Sequence, residues 1–424
     1  MPSWRSSALR ADHCPVSAPL LRICTRPPHM TSRQPQPTLL NPLQTAQRLA
    51  AGFADTAIER DARGGTPKAE RDALRASGLL ALSIPVQYGG LGASWSEVLQ
   101  VVRTFAKVDS SIAHVFGFHH LMLATVRLFG QPAQWQPWLE QTARKQWFWG
   151  NALNPLDTRT VAVQCEGWRE FSGRKSFCSG AIDSQMLIAS ALDERSGKLL
   201  IGAIPTARSG ITLGHDWDNI GQRQTDSGST TFERVRVEES ELLLDPGPLS
   251  TPFACLRPLI AQLLFAHLFL GIAEGAFEEA RSYTLGEARA WHRSGVEQAS
   301  QDPYILAHYG EFWLGLESAR LLTDRAAGLL DAAWRKEHAL GRDERAQVAL
   351  AVAAAKVATT RVGLEVCSKL FEVTGARATH AALRLDRYWR NLRTQTLHDP
   401  VDYKLRELGE WALRQQPPTP SFYS

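Results

Sequence analysis

Four short segments concentrate side chains that could move protons or hold a ligand. The first, Ala113-His-Val-Phe-Gly-Phe-His-His120, carries imidazoles at 114, 119 and 120. Histidine titrates nearest neutral pH and is the usual acid–base residue. Spacings of five and six do not put His114 on one helical face with the other two, because facing neighbours stand three or four apart. A metal pair is therefore disfavoured, and each imidazole reads either as a packed or exposed histidine or as a proton carrier. The second segment, Phe177-Cys-Ser-Gly180, follows Gly173-Arg-Lys175. A small hydroxyl beside glycine at a strand edge lets a ligand approach closely; a strand end with a buried cysteine is the alternative. No Ser–His–acid order accompanies it, so a hydrolase has no support.

The third segment, Trp389–Val401, packs Arg390, Asn391, Arg393, Thr394, Thr396 and His398-Asp399-Pro400 into one stretch. That density of donors suits an anionic ligand, or a solvated helix end. The fourth, Asp216–Thr230, sets Trp217 before a run of small polar residues. Such a run could flank a planar aromatic ligand and hydrogen-bond its edge, or simply form a long polar connection.

Periodicity indicates the elements that carry these segments. Apolar residues at steps of three and four predict a helix over Gln44–Arg63, stopped by Gly64-Gly65. Thr66-Pro67 predicts a capped second helix. Ser94 and Glu97 form a capping box, and Asp109, Ser110 or Ser111 caps the helix bearing His114 and Phe118. Gln134–Gln146 reads as a helix that starts or kinks at Pro137. After Trp147 the composition favours strands: Val161–Val163, Met186–Ser190, Leu199–Ile204, and Thr230–Val237 with period-two alternation. From about residue 255 helical striping returns, most regularly over Val348–Leu370, and Gly375 reads as a stop. The expected division is a leader over 1–38, a helical domain over 39–148, a β domain over 149–248 and a helical bundle over 249–424. This segregated α+β order argues against a doubly wound nucleotide fold, and neither GxGxxG nor GxxxxGK[ST] is present.

Composition narrows the function classes. The 424 residues hold 47 Lys+Arg and 43 Asp+Glu, a net charge of +4. The first 38 residues contribute five Arg and one Asp, which is the whole excess. The leader is expected to be a disordered tail, an upstream start before Met30, or a transit peptide disfavoured by its seven prolines. The rest is neutral and has no basic stripe, against a nucleic-acid partner. The longest apolar run, Leu259–Ile272, is broken by Gln262 and His267 and falls short of a membrane span. Six cysteines without a CxxC pair fit a reducing, cytoplasmic setting and no zinc site.

Taken together, Ala113–His120, Trp147–Ala152, Phe177–Gly180, Asp216–Thr230, Ser282–Trp291, Phe371–His380 and Trp389–Lys404 resemble the acyl-CoA dehydrogenase superfamily. More narrowly, they resemble its dibenzothiophene monooxygenase branch of flavin-dependent monooxygenases. The resemblance implies an N-terminal helical domain, a middle β domain and a C-terminal four-helix bundle that forms a homotetramer. It implies reduced FMN from a separate flavin reductase, dioxygen activated as a flavin C4a-hydroperoxide, and an organosulfur substrate such as dibenzothiophene. His114 and His398 match the family's catalytic histidines, and Ser179 its flavin-proximal hydroxyl. Phe118, Asn151, Lys175, Ser176, Phe177, Cys178, Ala376 and Arg377 match flavin contacts, and Trp217 a tryptophan beside the ring. Arg289 resembles an arginine that reaches the phosphate of a neighbouring subunit's flavin. An FAD-dependent acyl-CoA dehydrogenase is the runner-up, weakened because Leu397-His-Asp-Pro-Val401 lacks the glutamate base of that class. The match departs at Phe118, where the branch has tyrosine, at Gln395, where histidine is frequent, and in a shortened segment between Asn151 and Ser179.

Overall fold

A computed structural model describes residues 41–424, so the leader and the readings made on it lie outside the described residues. The first helix, α1 (Pro42–Arg63), starts where Asn41 Oδ1 accepts from the Leu43 amide at 2.7 Å and ends at Gly64. It is followed by α2 (Lys68–Ser77), α3 (Trp95–Ala106), α4 (Ser110–Phe129) and α5 (Pro132–Lys145). The Ser94/Glu97 box closes on α3 from both sides, at 3.3 and 2.8 Å. Of the three candidate caps for α4 it is Asp109 that accepts from the Ile112 amide, at 3.0 Å. Two expectations differ in detail. Pro67, not Thr66, sits at the α2 cap position, because the Thr66 hydroxyl donates instead to Asp226, at 2.9 Å. Helix α5 starts at Pro132, and Pro137 lies inside its second turn.

Seven strands follow: β1 (Trp149–Ala152), β2 (Val161–Gln164), β3 (Trp168–Lys175), β4 (Met186–Asp193), β5 (Leu199–Pro205), β6 (Ile211–Leu213) and β7 (Thr230–Glu238). They form one sheet in the order β1-β4-β2-β3-β7-β6, with β5 also paired to β4. Strand β4 is buried almost throughout, which explains why it is apolar apart from Ser190 and Asp193 and does not alternate. The alternation expected along β7 slips by one residue after Phe232. A bulge between Phe171 and Gly173 on β3 lies opposite, and it moves Val235 and Val237 back to the core face.

The C-terminal half contains α6 (Leu256–Gly286), α7 (Pro303–Lys336), α8 (Arg342–Thr374), α9 (Asp386–Thr396) and α10 (Val401–Arg414). Helices α6, α7 and α8 pack on one another, and α3 and α4 pack on α6. One hydrophobic core therefore runs from Ala46 through α4 and α6 to Leu392, while a second lies within the sheet. Helices α4 and α6 are long and apolar enough to cross a membrane, contrary to the reading of the interrupted run. Their apolar windows are 94% and 100% buried inside the protein. Such all-round burial leaves little amphipathic signal within those windows, and α6 meets water only in its last turns, at Glu278, Arg281, Ser282 and Leu285.

Candidate active site

Three connections gather around the first half of α4. The segment after β3 (176–180) comes up to α4 at Gly180, which lies beside Val115. The long loop 214–229 docks on the α4 N-terminus: Gln222 Nε2 donates to Ser110 Oγ at 3.0 Å, and the Gln224 amide to Ser111 Oγ at 3.4 Å. The same loop is stitched to α9, since Asn391 Oδ1 accepts from the Gln222 amide at 2.7 Å and Arg390 donates to the Ile220 carbonyl at 2.8 Å. Gly221 makes this approach possible, because a Cβ there would stand 2.1 Å from the Arg390 carbonyl oxygen. The α9–α10 connection then delivers His398.

Two imidazoles share the ring of Phe265 on α6. His114 stacks on Phe118 at 4.1 Å and lies 6.0 Å from Phe265. Its Nδ1 pairs with Gln395 Nε2 at 2.9 Å, and its Nε2 is buried without a partner among the described residues. An amide N–H donating to Nδ1 places the histidine's own proton on Nε2. Burial, reinforced by the nearby His398, pushes His114 down to about 3, so the ring is neutral. His398 lies 4.6 Å from Phe265 and 39% of its side chain is exposed. Its Nδ1 is 2.9 Å from Asp399 Oδ1, and the same oxygen is 3.3 Å from Lys356 Nζ. Burial alone would raise Asp399, but the His398 hydrogen bond and the Lys356 charge hold it well below the usual carboxylate range. His119 and His120 are structural. His119 donates from Nε2 to the Leu80 carbonyl at 2.8 Å and accepts at Nδ1 from the Trp149 amide, while His120 pairs with Ser83.

Ser179 begins a hydroxyl chain: its Oγ is 2.8 Å from Ser227 Oγ, which is 2.7 Å from Thr225 Oγ1, which donates to the Gln222 carbonyl at 3.1 Å. The Asn151 amide on β1 donates to the Ser179 carbonyl at 3.0 Å. Phe177 is strongly exposed with φ of 59°, a conformation bulky residues rarely adopt. It meets Trp217 edge-on at 6.0 Å, and Trp217 Nε1 donates to the Gln222 carbonyl at 2.7 Å. Cys178 is buried, and its amide donates to the Gly228 carbonyl; burial pushes its thiol up to about 12. Lys175 is buried, and its ammonium is committed to the carbonyls of Asn154 and Asp157. The Ser176 hydroxyl accepts from Arg159 at 2.7 Å.

The structure sets His114, Phe118 and His398 around Phe265. It links Asn151, Ser179 and Trp217 through the 176–180 segment and loop 214–229, while the Lys175 ammonium is bonded to the Asn154 and Asp157 carbonyls. It does not bring Arg289, Ala376 and Arg377 to them. Arg289 lies in a bridge with Gln298 beyond α6, and Arg377 donates to the Glu287 carbonyl at 2.9 Å. From Phe265 to Gly286 is about 30 Å along α6 at 1.5 Å per residue. Within one chain the two arginines therefore sit at the opposite end of the bundle from the histidines. The residues not foreseen are Phe265, Lys356 with Gln262 Oε1 2.8 Å from its Nζ, and Tyr423, whose ring lies 5.9 Å from that of His398. Two of them had a signal: Gln262 interrupts the longest apolar run, and Lys356 interrupts the stripe Val348–Leu370.

The exposed Phe177 against the half-buried Trp217, the hydroxyl chain, and the buried His114 Nε2, unpartnered among the described residues, fit a planar heteroaromatic ligand such as a flavin ring. Asp399, already bonded to a cation and an imidazole, is not free to act as the carbon base of a dehydrogenase.

The family description "acyl-CoA dehydrogenase, N-terminal domain" matches residues 43–146, and "acyl-CoA dehydrogenase, C-terminal domain" matches residues 263–403. A probable FMNH2-dependent monooxygenase SfnC of Pseudomonas putida is 74% identical over 383 residues, covering 90% of this chain and 97% of that one. Dibenzothiophene monooxygenase of Mycolicibacterium goodii is 42% identical over 399 residues, covering 91% and 96%. Among solved structures, methanesulfinate monooxygenase MsuC from Pseudomonas fluorescens superposes with a TM-score of 0.90 at 77% identity, covering 91% of this chain and all of that one. FMN-bound TdsC from Paenibacillus sp. A11-2 gives 0.87 at 43% identity, covering 90% and 100%.

Proposed function

The chain belongs to the acyl-CoA dehydrogenase family, in its branch of dibenzothiophene-monooxygenase-like flavin enzymes, and on that premise we propose that it is an FMNH2-dependent monooxygenase of organosulfur compounds. The observation that carries the reading is the pair of unlike imidazoles on Phe265, one neutral and buried, the other tied to a carboxylate. The likeness to SfnC and to the methanesulfinate enzyme, above 70% identity, favours a small alkanesulfinate over a thiophene as substrate. The balanced reaction is R–SO2⁻ + O2 + FMNH2 → R–SO3⁻ + H2O + FMN, with one oxygen atom passing to sulfur and the other to water.

Phe118, Asn151, Ser179, Trp217 and the main chain of 175–178 would hold the flavin ring. When bound and reduced, FMN supplies the electrons that activate dioxygen. The rest is the work of this chain. His398 Nε2 gives or takes the proton at the reacting oxygen, because Asp399 occupies Nδ1 and orients the ring. His114 Nε2–H offers a fixed donor that stays uncharged. Ser179, anchored through Ser227 and Thr225, presents its hydroxyl to the ring edge. Phe265 and Phe118 keep water away from His114, while His398 stays partly open.

A second copy would complete the site. The α7 face bearing Leu306, Trp313, Leu314 and Leu321 is apolar and exposed, which suits helix-on-helix association. A homotetramer built on such faces would bring Arg289, Ala376 and Arg377 to another subunit's FMN phosphate. A separate cytoplasmic flavin reductase would deliver FMNH2. The test is turnover under ¹⁸O2 with a reductase, NADH and FMN. Methanesulfinate is expected to yield sulfonate carrying one ¹⁸O, and dibenzothiophene little or none. Absence of oxygenated product from both would overturn the reading. Sedimentation of the purified protein as a monomer would refute the shared site.

A further inference from the structure

Lys356 is buried in α8 and sits among alanines and valines. Its Nζ is 2.8 Å from Gln262 Oε1 on α6, 3.3 Å from Asp399 Oδ1, and 4.7 and 5.0 Å from the rings of Phe265 and Phe269. We propose that Lys356, steadied by Gln262, is a positioning residue for His398: it pins Asp399 as a carboxylate, and Asp399 in turn fixes the imidazole so that Nε2 is the atom offered to the reaction. The proposal rests on the reading of His398 as the proton-handling group.

The physical case has three parts. A buried ammonium–carboxylate pair is a poor device for stability alone, since desolvation of both ions offsets most of their attraction. Here the pair is extended to a third group, because one carboxylate oxygen serves both Lys356 and His398. The two aromatic faces stabilise the cation without competing for its donors. Burial pushes Lys356 down to about 8 while Asp399 opposes the shift, so the ammonium persists near neutrality. The other groups around His398 do not supply this function. His114 is neutral, Tyr423 lies 5.9 Å away ring to ring, and Lys404 on α10 is spent on Glu407 and the Tyr423 carbonyl. Arg257 on α6 donates to Thr125.

The experiment follows diethylpyrocarbonate modification of the peptide bearing His398 across pH 5–9, in the full-length protein without flavin, beside turnover in the reconstituted system. Removing the ammonium with Lys356→Met leaves Asp399 to act on His398 alone, which favours the imidazolium. The modification midpoint should therefore move about one unit to higher pH. The turnover number should fall about tenfold or more, with KM for methanesulfinate within about twofold. Lys356→Arg should restore the wild-type midpoint. If Lys356→Met does not fold, Gln262→Ala should shift the midpoint the same way by a smaller amount. An unchanged midpoint in a folded variant overturns the proposal. Failure of the wild type to make sulfonate sinks the functional reading, and the midpoint in the flavin-free protein still decides the relay.

Discussion

Two histidines on one phenylalanine have been given opposite surroundings. His114 is enclosed by Phe118, Phe265 and the Gln395 amide, all neutral, and its environment forbids a charge. His398 is partly open and is held by an anion that a buried cation keeps ionised. The residue type is the same, but the first group is a fixed hydrogen-bond donor and the second a group that can change protonation. The difference shows that an imidazole's partner at Nδ1, amide or carboxylate, sets which of the two tasks it can perform.

The contrast can be broken at its charged side first. Asp399→Asn should cost about 3–5 kcal/mol of stability, because Lys356 loses its counter-ion in a buried place; urea unfolding measures it. His398→Ala should lower turnover about a hundredfold or more while the unfolding midpoint stays near wild type, since the side chain is half open. A large loss of stability instead would mean that His398 is structural.

Acidification tests the neutral side. His114 and His267 are pushed down to about 3 and His119 to about 4, chiefly by burial, from an ordinary value of 6.5. Between pH 6.5 and these values the unfolded chain binds protons that the folded chain refuses, so stability falls as pH falls. At pH 5 each group should have withdrawn about 2 kcal/mol, read from thermal midpoints at pH 7 and pH 5. Replacing His267 with leucine should flatten that dependence. The smallest change is Gln395→Leu, which leaves His114 Nδ1 without its donor. It should cost about 1–2 kcal/mol and move turnover less than His398→Ala does.

Much of the frame was legible in the chain, for local reasons. Capping at Ser94 and Asp109 is written within four residues, and the sheet announces itself by β-branched runs. The family's segments singled out His114, Ser179 and His398, and the structure sets the two histidines against Phe265. What escaped depends on distant partners. Lys356 is a lone charge in an apolar stripe until α6 and the α9–α10 connection place Gln262 and Asp399 beside it. Lys175 looked like a ligand contact, but its ammonium is used by carbonyls some twenty residues upstream. The slip along β7 depended on a bulge in its neighbour, which no single strand reveals.

Gly221 has a mechanical consequence. With no room for a side chain between loop 214–229 and α9, sheet and helix are locked like meshed gear teeth. Trp217 and Ser227 ride on one of these pieces, and Gln395 rides on the other. A side chain at 221 would therefore part the loop from α9, and with it the aromatic wall and the hydroxyl chain from the helix that carries the amide on His114.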